Sequence, residues 1–173
     1  MDISAFKPAI VYTIYIAATQ EKVWEALTSA EFSRRYFHGF AVEYEMRVGG
    51  AFIVRAPDGS VHVSGKVYEC DPPRKLTITW DVNWPGLIEA LGSTLVTYEI
   101  AQAGKSVKLT LIQSHDRPIG DDILSGGRQG WPAILSSLKS LLERGEALTI
   151  EMEPPARMLA ALKKLGVKLP GQS

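Results

Sequence analysis

The sequence has a single cysteine, no excess of either charge and no long apolar run, and each of these features excludes a class of protein. Cys70 has no second cysteine to pair with, so an intramolecular disulfide is excluded, as is usual in a reducing cytosol. Lysine and arginine total 19, as do aspartate and glutamate, so the overall positive charge typical of nucleic-acid-binding proteins is missing. No apolar run approaches the roughly 18 residues that predict a membrane span.

The first ten residues also lack the charged start and long apolar stretch of a secretory signal peptide. We therefore expect a cytoplasmic protein. A chain of 173 residues can bury about 70% of its unfolded surface, so it can fold without disulfides or metals. Chain length predicts one main domain, which we place at residues 1–145, up to the end of the last strongly apolar helix pattern. An extension, residues 146–173, follows with a short helix near Ala156 to Leu165.

One amphipathic helix is predicted from Gly130 to Gly145. Its apolar residues recur every three or four positions, the spacing of a single helix face. Arg144 suits the negative end of the helix dipole, and Gly145 suits a left-handed cap. Pro132 is tolerated in a first turn and would disrupt a helix that began earlier, so the preceding glycine-rich stretch is predicted to be a loop. The apolar stripe consists of Trp131, Ile134, Leu135, Leu138, Leu141 and Leu142.

Between Phe40 and His115 the sequence alternates apolar and polar residues with turn signals between the runs, which predicts antiparallel strands. With a first strand at Ile10 to Ile16, about six strands are expected. Two short helices, Gln20 to Thr28 and Ala30 to Phe37, follow the first strand. A sheet with one apolar face needs a cover, and the long helix is the only element long and apolar enough to provide it. The predicted fold class is α+β, a curved antiparallel sheet around a C-terminal helix.

Several short motifs over roughly residues 8–145 occur in the order of a known family. Ala17-Ala18-Thr19 followed by Val23 to Leu27 resembles the opening helix of the SRPBCC, or START-like helix-grip, superfamily. Its branch named after the activator of the ninety-kilodalton heat-shock protein ATPase is similar at Arg47-Val48-Gly49-Gly50, Pro57-Asp58-Gly59, Gly65-Lys66-Val67, Asp71 to Leu76, Trp80, His115 and Gly130-Trp131. The resemblance implies a seven-stranded antiparallel sheet around the long helix, an apolar cavity between sheet and helix, and, by analogy alone, a contact with a chaperone.

The cavity candidates are the residues on inferred inward faces. The aromatic members either line a ligand cavity or simply fill the core. Gln113 and His115 continue the inward face of the last strand but are polar, so they either pair within the protein or face a cavity mouth. The full set is Tyr44, Phe52, Trp80, Tyr98, Leu111, Gln113, His115, Trp131, Leu135 and Leu138.

Three functional hypotheses follow. The first is a non-enzymatic protein that binds a small apolar or aromatic, lipid-like molecule. The second, implied by the resemblance, is an enzyme of the cyclase or hydrolase type that some superfamily members represent, in which His115 would act with Tyr98 or Gln113 as acid or base. The third is an interaction module, linked to a chaperone or homodimeric through its C-terminal extension. The three histidines show no metal-ligand spacing, so no metal or other cofactor is predicted.

Overall fold

Eight strands form one antiparallel sheet that curves around a long helix in the computed structural model, which describes residues 2–171. The strands are β1 (Lys7–Ile16), β2 (Ala41–Tyr44), β3 (Ala51–Arg55), β4 (Val61–Asp71), β5 (Lys75–Thr79), β6 (Asp81–Val82), β7 (Thr94–Ala103) and β8 (Ser106–His115). The helices are α1 (Gln20–Thr28), α2 (Ala30–Tyr36), α3 (Leu87–Leu91), α4 (Asp121–Arg144) and α5 (Ala156–Lys164). The predicted α+β class, with two short helices after the first strand, is confirmed.

The sheet order is β1-β8-β7-β5-β4-β3-β2, and β6 pairs with β4 beside this path. All pairs are antiparallel, as expected for strands joined by short turns. The expectation of six to seven strands falls short by the two-residue strand β6. Such a strand is too short to show a period-two pattern, which is why sequence alternation does not reveal it.

The apolar stripe of α4 faces the sheet as predicted. Trp131, Leu135, Leu138 and Leu141 are buried in the main core, and Ile134 and Leu142 pack against it half-buried. The predicted caps also form. Thr19 accepts a hydrogen bond from the Lys22 N–H at the start of α1, and Gly145 ends α4 in the left-handed region at φ +79.

The predicted start of α4 is wrong, because the helix begins at Asp121, nine residues before Gly130. Pro132 therefore lies inside it and leaves the Arg128 carbonyl without an intrahelical partner. Asp121 and Asp122 in the first turn favour the earlier start, since they lie at the positive end of the helix dipole. Tertiary packing of the added turns thus outweighs the local cost of glycine and proline.

The close approach of α4 to the sheet explains a glycine in those added turns. A Cβ at Gly127 would lie 2.7 Å from Ile10 Cδ1 and 2.9 Å from Gln113 Oε1. A larger residue would therefore require the ends of both side chains to shift. The same glycine that argues for a loop in the sequence thus allows α4 to lie close to β1 and β8.

The C-terminal extension packs on its own chain. Helix α5 forms as predicted, and Leu162, Val167 and Leu169 make a second small core with the region of α3. The Lys168 N–H donates to the Pro85 carbonyl at 2.9 Å, which ties this end to the segment before α3. The division at residue 145 stays a prediction. Within residues 2–171 no helix combines the length and apolar character that crossing a membrane requires.

Candidate functional site

A cavity of about 280 Å³ lies between the sheet and the N-terminal half of α4. We call it the first compartment. Trp80 and Trp131 form its aromatic wall, and Gly130 leaves open space on the helix side. Its polar groups lie at or near strand ends, namely His62, Asp81, Thr94, Gln113 and His115. Helix α3 and the first turns of α4 supply the other apolar side chains, including Leu87, Leu91, Ile123 and Ile134.

A chain of hydrogen bonds crosses the polar end of this compartment. The Trp131 indole N–H donates to Gln113 Oε1 at 2.7 Å. The Gln113 amide nitrogen lies 2.9 Å from His115 Nε2, and His115 Nδ1 lies 3.3 Å from Thr94 Oγ1. These hydrogen bonds join α4 to β8 and β7, so they fix the position of the helix relative to the sheet at the cavity.

The donor and acceptor roles along these hydrogen bonds determine the protonation state and tautomer of His115. An indole N–H can only donate, so the Gln113 oxygen accepts it and the Gln113 amide nitrogen faces the imidazole. That amide donates to His115 Nε2, which therefore carries no proton. The proton of the neutral ring lies on Nδ1, facing the Thr94 hydroxyl. His115 is thus held neutral with both nitrogens paired.

Burial shifts three titratable groups that line the compartment, and each shift favours the neutral form. Desolvation lowers the pKa of His115, with Asp116 opposing it, and desolvation also lowers the pKa of His62. The pKa of Asp81 is raised by desolvation, with the Thr94 backbone N–H opposing. Among the described residues, Asp81 Oδ1 is a buried side-chain oxygen without a hydrogen-bond partner. The pocket therefore disfavours added negative charge.

Four of the ten sequence-predicted candidates line the first compartment, namely Trp80, Gln113, His115 and Trp131. The other six, Tyr44, Phe52, Tyr98, Leu111, Leu135 and Leu138, are not among its lining residues and pack in or against the main core. The aromatic rings form a row that leads to the cavity. Ring centroids are 4.7 Å apart for Tyr44 and Phe52, 5.5 Å for Phe52 and Trp80, and 5.1 Å for Trp80 and Trp131. Tyr44 and Phe52 thus pack on the core side of Trp80, which lines the cavity.

Sequence reasoning missed His62 and Asp81, which line the cavity but are not among the ten candidates. Strand β5 pairs with both β4 and β7, whereas β6, which begins at Asp81, pairs with β4 alone. At this end of the sheet both Trp80 and Asp81 line the cavity, although strand alternation would direct neighbouring side chains to opposite faces. One feature of the sequence could have indicated His62 and Asp81, namely the irregular segment after residue 82. In the structure its helix α3 covers this end of the sheet.

The geometry offers little for acid–base catalysis. His115 has hydrogen bonds to Gln113 and Thr94, and none joins it to Tyr98 within the described part of the chain. Burial raises the pKa of Tyr98, which keeps its hydroxyl neutral. A proton transfer by His115 would first have to break one of its two existing bonds. Residues 2–171 also contain no group of three or more histidine, cysteine or acidic side chains placed to hold a metal ion.

Comparison with solved structures shows the same fold in proteins of low identity. CalU16 from Micromonospora echinospora is 22% identical, with a TM-score of 0.63 over 90% of this chain and 82% of that one. The Aha1 dimer from Colwellia psychrerythraea is 20% identical, with a TM-score of 0.65 over 80% and 98%. An HSP90 activator from Plasmodium falciparum is 22% identical, with a TM-score of 0.57 over 72% and 88%.

A search of curated proteins found no match. The family model described as "Activator of Hsp90 ATPase homolog 1-like protein" matches residues 17–143, which is most of the chain and includes strands β2 to β8 and all but the last residue of α4. That span contains every residue of the Trp131–Gln113–His115–Thr94 hydrogen-bond chain. The chain therefore belongs to the Activator of Hsp90 ATPase homolog 1-like protein family.

Proposed function

We propose that this protein binds a small, neutral, mostly apolar molecule in the first compartment. The observation that carries the proposal is a cavity of about 280 Å³ with two tryptophans on its wall and a few polar groups gathered at one end. That combination is typical of small-molecule sites, where apolar contact supplies affinity and a few polar atoms set orientation. Because the Trp131–Gln113–His115 bonds are already made, the polar end is organised before any ligand enters.

The charges around the compartment support a neutral ligand. No lysine or arginine is among its lining residues in the described chain, and Asp81 is acidic. His115 and His62 both favour the uncharged form. A carboxylate or phosphate would therefore enter without a cationic partner and would meet a like charge, which costs free energy in a desolvated site. A hydroxyl or amide group can instead pair with Asp81 or Thr94.

Calorimetric titration with 2-naphthol, and with 2-naphthoate as its anionic counterpart, tests the proposal. We expect 2-naphthol to bind and 2-naphthoate to bind more weakly. Gly130→Leu is the blocking variant, because a Cβ at Gly130 meets nothing within 4 Å and the rest of the side chain would fill the cavity. Leucine also suits a helix interior better than glycine, by about 1 kcal/mol.

The matched control is Gly104→Asn, which enlarges a glycine in an exposed hairpin turn where a Cβ likewise meets nothing within 4 Å. Asparagine tolerates the positive φ of that turn better than most side chains. The control should bind 2-naphthol as the unmodified protein does. Failure of the unmodified protein to bind 2-naphthol, or unchanged binding by Gly130→Leu, would remove the support for this function.

Contact with a chaperone ATPase is the second candidate, supported by family membership and by the fold shared with an HSP90 activator. Adding the full chain to a purified ATPase of that class should then raise the rate of ATP hydrolysis, and an unchanged rate would count against the contact. A homodimer is supported by the fold shared with the Aha1 dimer. Light scattering of the full chain would then give twice the monomer mass of 19.0 kDa, whereas the monomer mass would exclude a stable dimer.

A further inference from the structure

We propose that the C-terminal extension builds a second compartment of the binding site, so that the ligand is an elongated neutral molecule reaching from the first compartment into the second. This inference rests on the proposed function. The second compartment has a volume of about 340 Å³ and lies between α3, the start of α4 and the segment around α5. The family match ends at residue 143, so the residues that close this compartment lie beyond the matched region.

The extension is held in place by contacts that are independent of any ligand. Leu162, Val167 and Leu169 are buried in the second small core. The Gln129 side-chain amide donates to the Glu153 carbonyl at 3.0 Å, which joins α4 to the segment before α5. With Lys168 bonded to Pro85, the extension is anchored on both sides of α5. The wall it provides is therefore part of the folded molecule.

The inner surface of this wall is suited to an apolar guest. Trp84, Leu87 and Leu91 face it from the α3 region, and Met152, Met158 and Leu162 come from the extension. Methionine is unbranched and adaptable, so two of them let the wall fit chains of different shape. The volume lies at the low end of the roughly 300–1,000 Å³ range of small-molecule sites.

The two compartments are adjacent. Five residues line both of them, namely His62, Val82, Leu87, Leu91 and Ile123. Four of these side chains are apolar, so a ligand that crosses the junction remains in apolar contact. His62 is the polar member, and burial lowers its pKa, so it faces the junction as a neutral ring. A hydroxyl at the Asp81 and Thr94 end would leave the rest of a linear molecule directed towards Met158.

Charge narrows the ligand class further. In the described chain neither compartment is lined by lysine or arginine, and the second adds Glu153. The site therefore favours long-chain or polycyclic alcohols over fatty acids of the same length. Primary alcohols with saturated chains are the simplest probes, because each added methylene extends the apolar part and changes nothing at the polar end.

The experiment is calorimetric titration of the full chain with 1-hexanol, 1-octanol, 1-decanol and 1-dodecanol below their solubility limits, and with decanoate as the anionic comparison. While methylenes enter the second compartment, affinity should rise about fourfold for each one, which corresponds to about 0.8 kcal/mol. Decanoate should bind more weakly than 1-decanol.

Two variants, Met158→Trp and Met152→Trp, are designed to fill the second compartment. If one of them does not fold, the other still provides the test. The matched control, Leu165→Trp, adds similar bulk at the exposed Leu165 that ends α5 and lines neither compartment. We expect the filling variants to bind 1-hexanol as the unmodified protein does and to lose the gain for the longer alcohols. The control should keep the whole series.

The outcomes separate this inference from the function on which it rests. If the unmodified protein binds 1-hexanol but affinity stops rising with chain length, or if folded filling variants bind the whole series unchanged, the second compartment is not part of the site. If no alcohol binds at all, the proposed function itself fails. A decanoate affinity above that of 1-decanol would overturn the assignment of ligand charge.

Discussion

Replacing Gln113 with leucine should destabilise the protein more than any exposed glutamine replacement does. Gln113 accepts from the Trp131 indole at 2.7 Å and donates to His115 at 2.9 Å, so the change breaks two bonds at once. Leucine has nearly the same volume, so the packing of β8 against α4 should survive. The loss is therefore one of hydrogen bonding at the cavity, with little contribution from packing.

The magnitude follows from what is left without a partner. A buried donor or acceptor deprived of its partner costs about 1–3 kcal/mol. Trp131 and His115 are both affected, but the adjoining cavity can admit water to one of them. We therefore expect the free energy of unfolding to fall by about 2–3 kcal/mol. For a chain of this size that corresponds to a drop in Tm of about 4–12 °C.

Urea denaturation followed by circular dichroism measures the loss, and Gln102→Leu is the control. Gln102 donates to the Gly104 and Ser106 carbonyls in an exposed hairpin, where water replaces both bonds. Its replacement should change stability by no more than about 0.5 kcal/mol. An equal effect of the two variants, or no effect of Gln113→Leu, would refute the stabilising role of the hydrogen-bond chain. In the folded variant the pKa of His115 should also rise, because Nε2 loses the donor that favours its unprotonated state.

Three further predictions concern the core and the titratable groups. Leu138→Ala should lower the free energy of unfolding by about 2–5 kcal/mol, because Leu138 is fully buried against the sheet; a cost below 1 kcal/mol in urea melts would contradict this. Burial lowers the pKa of His62 and His115, so the stability they contribute is complete above their ordinary value of about 6.5 and is lost as pH falls through the folded values. The urea midpoint should therefore be lower at pH 5.5 than at pH 7.5, and equal midpoints would exclude the effect. Asp81 has a raised pKa, so its contribution is complete below about pH 3.9 and is lost as pH rises through the folded value. Asp81→Asn should accordingly raise Tm at pH 7 and leave it nearly unchanged at pH 3, whereas a lower Tm at pH 7 would show that the charged carboxylate stabilises the fold and would contradict this prediction.

Strand alternation in the sequence predicts only part of the candidate site. Val107, Leu109 and Leu111 set the inward face of β8, which carries Gln113 and His115 to the cavity at the same register. Alternation also places Tyr98 inward, but it does not distinguish a residue that fills the core from one that lines a cavity. Whether an inward side chain fills the core or lines a cavity depends on which side chains from other elements pack against it.

The start of α4 shows why local signals were insufficient. Gly126-Gly127 and Pro132 disfavour a helix by propensity, and a helix starting at Gly130 satisfies every local preference. The longer helix forms because its added turns bury Leu124 and bring Gly127 against Ile10 and Gln113. Gly127 and Ile10 are more than a hundred positions apart, so a reading of neighbouring residues in the sequence cannot reveal their contact.

Periodicity and the preferences of single residues were enough to predict the α+β class, the buried stripe of α4, the caps at Thr19 and Gly145, and the inward polar pair on β8. These are local properties that can be read from the sequence. Folding was needed to establish where α4 begins, that Asp81 and His62 reach the cavity, and that the extension lines a second compartment. These depend on contacts between distant segments, and such contacts exist only once the chain has folded.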